Sequence, residues 1–176
     1  MSGPRQPIDV ISGYPPHDGT LGSMLASRAA AAPDREFVVF EGASFTYLDV
    51  AHDVERAAAL FAARGVRAGD RVGLMSLNHP STVIAFLALA RLGAVMAPVN
   101  PEYGAEEAGY VLTHAQVSGV LCSPATLDTV RAACAKIMPA PWLLLNDRAD
   151  PALPVFADAL DDAPLDTPAA AGAPDD

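Results

Sequence analysis

Residues 71–103 read RVGLMSLNHPSTVIAFLALARLGAVMAPVNPEY. A short apolar run over 71–77 gives way to helical spacing over 80–92, a stop at Gly93 and a second apolar run over 94–99. The pattern predicts a strand, a crossover helix and a second strand parallel to the first. Pro80 falls where the helix begins, a position at which its missing N–H costs nothing. In open parallel sheets ligands bind beyond the carboxyl ends of the strands. That rule makes the two following loops the candidate substrate-facing positions: Asn78 and His79 after the first strand, Asn100 and Glu102 after the second.

Working outward, the alternation continues with a helix over 105–114, a strand over 117–122, a helix over 124–137 and a strand over 141–145. Short apolar strands alternating with amphipathic helices define an α/β fold: a parallel sheet of βαβ units, about four strands flanked by helices. Upstream, Thr20 is placed to cap a helix over 21–32. EFVVF (36–40) and SFT (44–46) flank Glu41-Gly42-Ala43 as a small hairpin. A long helix over 47–64 follows, opened by Thr46 and Asp49 in capping-box spacing and closed by Gly65. The expected organisation is a flexible arm over 1–19, an α/β unit over 20–146 and an acidic, Pro/Ala-rich linker over 147–176 with a short helix near 154–160.

The 176 residues carry a net charge of −10, and the excess is concentrated at one end. Residues 147–176 hold eight acids against one base, Arg148, whereas the body is nearly balanced. No basic stripe is available to neutralise phosphates, so nucleic acid is excluded as a partner. The longest apolar run, VIAFLALA (83–90), is too short for a transmembrane segment, and the N-terminus has no signal-peptide h-region, so a cytoplasmic protein is expected. Cys122 and Cys134 lie on apolar segments and read as core thiols.

Groups that could perform chemistry are scarce. The chain has no GxxxxGK[ST] loop, no GxGxxG after a strand and no GxSxG elbow. Asp49, His52, Asp53 and Arg56 share a helix face that could ligate a metal, but a solvated face accounts for them and no metal ligand is assigned. Lys136, the only lysine, falls late in the predicted helix 124–137, where it would offset the negative helix end. His79 could transfer a proton, or the Asn78-His79-Pro80 run could be a strand-to-helix turn capped by Asn78. Asn100-Pro101 could line a pocket or redirect the chain. No catalytic residue is assigned.

The run TYLDVAHDVERAAALFAARGVRAGDRVGLMSLNHPSTVIAFLALARLGAVMAPVNPEYGAEEAGYVL (46–112) resembles the N-terminal subdomain of the adenylate-forming, AMP-dependent synthetase/ligase superfamily. The features coincide in order: a helix ending in Ala-Pro-Asp, the Phe-Thr-Tyr start of the long helix, GVRAGDRV, LARLGAV and PVNPEY with Glu107 following. PVNP with acids in the next helix is most like the acyl-CoA synthetases, whereas peptide-synthetase adenylation domains more often carry a Leu-Asp-Pro type turn. The resemblance implies that the complete enzyme joins a carboxylic acid to ATP as an acyl-adenylate and passes the acyl group to CoA, with Mg²⁺ assisting. It implies a Ser/Thr/Gly-rich phosphate loop and a C-terminal Lys, neither present in these 176 residues. In the family that loop is introduced by an Ala-Pro-Asp-Asp-like segment, and the chain closes with Ala173-Pro174-Asp175-Asp176. The expectation is an N-terminal piece of an acid–CoA ligase that binds no cofactor and is inactive alone, with the remaining subdomains as its partners. A non-catalytic interaction module on the same fold and a fragment of a peptide-synthetase-type adenylation domain are the alternatives.

Overall fold

Four parallel strands form the sheet, and the computed structural model describes residues 19–148 and 150–163 of the chain. In chain order the elements are α1 (Leu21–Ala31), β1 (Glu36–Phe40), β2 (Ala43–Thr46), α2 (Tyr47–Ala63), β3 (Arg71–Met75), α3 (Pro80–Arg91), β4 (Val95–Pro98), α4 (Ala105–Ala115), β5 (Gly119–Cys122), a 3₁₀ turn (Pro124–Thr126), α5 (Leu127–Cys134), β6 (Trp142–Leu145) and α6 (Phe156–Asp161). The sheet order is β4-β3-β5-β6, and β1 and β2 form a separate antiparallel pair. This is the α/β fold read from residues 71–145, with element ends displaced by one to three residues.

The strands are apolar on both faces because helices cover both. Val72, Leu74, Leu121 and Leu144 pack with α1, α2 and α3, while Met75, Val120, Cys122 and Leu145 pack with α4 and α5. Phe61 of α2 is fully buried, and removing such a side chain from water contributes about 2–3 kcal/mol. Two glycines let elements approach closely. A Cβ on Gly119 would lie 2.0 Å from the Trp142 ring, and one on Gly73 would lie 2.6 Å from Leu112 Cδ2.

Local chemistry explains the helix starts. Thr46 and Asp49 form the anticipated capping box: the Asp49 N–H donates to Thr46 Oγ1 at 3.2 Å, and the Thr46 N–H donates to Asp49 Oδ2 at 2.9 Å. Those bonds hold the Asp49 carboxyl below the usual carboxylate range. The hairpin turn is shorter than the sequence suggested. Ala43 already belongs to β2, and Glu41 and Gly42 alone make the loop with φ of 49° and 85°, the signs a two-residue hairpin turn requires. The predicted helix 124–137 divides into the 3₁₀ turn and α5, so Lys136 lies two residues past the last helical residue rather than inside a helix.

Residues 1–18 and 164–176 fall outside the described residues, and with them most of the expected arm and much of the expected linker. In the described part of 147–176, α6 forms where a short helix was anticipated. Its Phe156 is 2 % exposed and packs 6.1 Å, ring centre to ring centre, from Phe61.

Candidate functional site at the carboxyl ends of the strands

The chain leaves the two central strands in opposite directions. From β3 it passes through α3, on the face shared with α2, to β4. From β5 it passes through α5, on the face shared with α4, to β6. The connections diverge between β3 and β5, and such a switch point opens a crevice at the carboxyl ends.

A directed set of hydrogen bonds occupies that point. The Thr126 hydroxyl donates to the Met75 carbonyl at 2.5 Å, so its oxygen accepts from the Ser123 hydroxyl at 3.1 Å. The Asn146 side-chain amide donates to Ser76 Oγ at 2.7 Å, and the Ser76 hydroxyl donates onward to the Leu77 carbonyl at 2.6 Å. Ser123, Thr126 and Asn146 are buried. Asn146 Oδ1 is buried with no hydrogen-bond partner.

His79 is half-buried and is itself the N-cap of α3, a role sequence reading gave to Asn78. Its Nδ1 accepts the Ser81 backbone N–H at 3.2 Å and lies 2.7 Å from Ser81 Oγ. That bond commits the Nδ1 lone pair to the helix end and leaves Nε2 as the ring nitrogen that can donate. The ring meets Phe40 edge-on at 5.7 Å, and Asn78 and His79 line a groove of about 210 Å³ against β1. Asn78 itself is exposed.

Asn100 and Glu102 lie elsewhere. β4 is the sheet's outer strand on its side, and both residues are exposed in the turn that follows it. Asn100 Oδ1 accepts the Glu102 N–H at 3.0 Å, and its carbonyl accepts the Tyr103 N–H at 3.1 Å, a side-chain-stabilised turn. The structure thus brings Asn78 and His79 together beside the switch point and leaves Asn100 and Glu102 at the neighbouring corner.

Sequence reasoning missed Ser76, Ser123, Thr126 and Asn146. Their common signal was position: Ser76, Ser123 and Asn146 each directly follow a strand of the sheet, and Thr126 stands three residues after Ser123. Arg148, beyond Asn146, is paired with Asp158. Burial pushes the Cys122 thiol, at the end of β5, up to about 12, which suits a core thiol and not a nucleophile. Among the described residues no group of three His, Cys, Asp or Glu side chains is placed to hold a metal ion.

The fold defines a parallel α/β protein with a topological switch point between β3 and β5. The chain belongs to the AMP-binding enzyme family, whose model matches residues 25–176. It is 35% identical over 122 residues to a long-chain-fatty-acid–CoA ligase of Bacillus subtilis (strain 168), an alignment covering 69% of this chain and 21% of that protein. Among solved structures it is similar to a fatty acyl CoA synthetase of Mycobacterium tuberculosis, with a TM-score of 0.76 and 26% identity over 89% of this chain and 31% of that one. It is also similar to the N-terminal domain of FACL13 from the same organism, with a TM-score of 0.75 and 26% identity over 88% of this chain and 38% of that one. The chain therefore spans about a fifth of the Bacillus ligase's length. No helix among the described residues is long and apolar enough to cross a membrane.

Proposed function

We propose that these residues are the N-terminal part of an ATP-dependent acid–CoA ligase of the cytoplasm, supplying one wall of a cleft whose reactive groups lie in the remaining subdomains. The observation that carries this reading is the likeness to CoA ligases over most of this chain and a minor share of theirs. In the proposed enzyme a carboxylic acid is activated by ATP as an acyl-adenylate and transferred to the CoA thiol. Residues 20–146 are taken as the α/β unit that carries the wall and 147–176 as the acidic connection onward. Asn78 and His79 face the substrate from the centre of the wall, with Asn100 and Glu102 at its β4 corner.

The donor set at the strand ends does not suit a magnesium–triphosphate group. Ser76, Asn78, Ser123 and Asn146 carry no charge, His79 Nδ1 is taken by the Ser81 N–H, Glu102 is an acid and Arg148 is committed to Asp158. Holding phosphates while charge develops on them calls for cations and aligned N–H groups. ATP, Mg²⁺ and CoA are accordingly assigned to the complete enzyme, and the 176 residues alone are proposed to be inactive.

Carboxylate-dependent exchange between ATP and pyrophosphate tests both parts. A polypeptide extended through a phosphate loop should exchange with a fatty or aromatic acid, and the 176-residue chain should not. Exchange by the short chain would sink the assignment of chemistry to other subdomains. Absence of exchange by the extended polypeptide across a panel of acids would sink the ligase.

A further inference from the structure

We propose that Asn146 is a positioning residue: its side chain reaches across the end of β5 and fixes the Ser76–His79 turn that walls the crevice. The backbone N–H of Asn146 donates to the Cys122 carbonyl at 2.9 Å, which anchors it to β5. Its side-chain amide then donates to Ser76 Oγ at 2.7 Å, joining residues 70 positions apart. Among the described residues, this is the only hydrogen bond that ties 76–79 to a distant part of the chain. The remainder of the turn is open, with Leu77 55 % exposed and Asn78 exposed.

The amide orientation follows from the network. Ser76 spends its only hydrogen on the Leu77 carbonyl, so its oxygen must accept, and the group facing it must be the Asn146 NH₂. That orientation leaves Asn146 Oδ1 buried without a donor in a residue only 6 % exposed. A buried acceptor without a donor destabilises the fold, and an apolar side chain of similar shape would not carry that cost. A residue that is locally unfavourable, yet spans the switch point to hold the site turn, fits positioning better than packing. The bearing of the tether on catalysis rests on the ligase reading, but the tether is tested without substrate, so either can fail alone.

The test uses the ¹⁵N-labelled full chain and two variants, Asn146→Leu and Ser76→Ala, which remove the bond from opposite ends. The reporters are the amides of Ser81 and Thr82, which donate to His79 Nδ1 at 3.2 Å and to the His79 carbonyl at 3.0 Å. In each variant their exchange should quicken at least tenfold, and the His79 ring resonances should move as its contact with Phe40 loosens. The ladder amides of Val120 and Leu144 and the melting temperature should hold. The double variant should do no more than either single change, since both break one bond. Unchanged exchange at Ser81 and Thr82 would overturn the tether. Protection lost evenly across the sheet with a lower melting temperature would show a merely structural role. If Asn146→Leu does not fold, Ser76→Ala carries the same comparison.

Discussion

The turn after β3 and the turn after β4 are written in similar letters, Asn78-His79-Pro80 and Asn100-Pro101, yet they are different objects. The first leaves a central strand at the switch point. It is tied to β6 by Asn146, its His79 caps α3, and it stands beside the buried Ser123–Thr126 pair. The second leaves the outer strand β4, and the hydrogen bonds of its Asn100 go no further than Glu102 and Tyr103. An Asn in a loop is therefore not a site by virtue of its type. The strand it follows decides what can be brought against it.

If centre and edge differ in this way, perturbations at the centre should cost more. The largest effect is expected from pH acting at the end of β5. The Cys122 thiol is pushed from an ordinary value of 9.0 up to about 12 by burial, so between these values the folded chain keeps a proton that the unfolded chain releases. Its contribution is fully present below pH 9 and is lost toward pH 12, at roughly 1.4 kcal/mol per unit. Urea unfolding across that range should show a steeper fall for the parent than for Cys122→Ala, and parallel curves would break the assignment. Next, Gly119→Ala forces a methyl into the Trp142 ring and should cost about 3 kcal/mol by the same urea unfolding. Thr126→Val leaves the buried Ser123 hydroxyl without its partner and the Met75 carbonyl with only the Ser123 N–H at 3.3 Å, for about 2 kcal/mol. His79→Ala, with the cap of α3 lost, should cost about 1 kcal/mol. At the edge, Asn100→Ala should stay within about 0.5 kcal/mol. An edge substitution as costly as the central ones would erase the contrast.

Much of the fold was legible because it is written in local periodicity. The runs at 71–77 and 94–99 were long by one or two residues at an end, since an apolar letter does not say where a ladder stops. The Met75–Cys122 pair ends it on β3. The candidate site was legible only as a rule about strand ends. Asn78 and His79 fell beside the switch point, but the cap was assigned to the wrong one of the two, because a histidine accepts through Nδ1 only in a ring orientation that neighbours such as Phe40 and Ser81 help to set.

By itself the sequence determined the order of strands and helices, the capping box at Thr46 and Asp49 and the excess of acid beyond Asn146, because spacing, cap chemistry and charge act between residues close along the chain. Tertiary structure alone decided that β3 and β5 lie at the centre, that Phe156 meets Phe61 and that Asn146 finds Ser76. Those pairings join residues tens of positions apart, and helices packing on both faces of the sheet select them, a choice that no window of neighbouring letters contains.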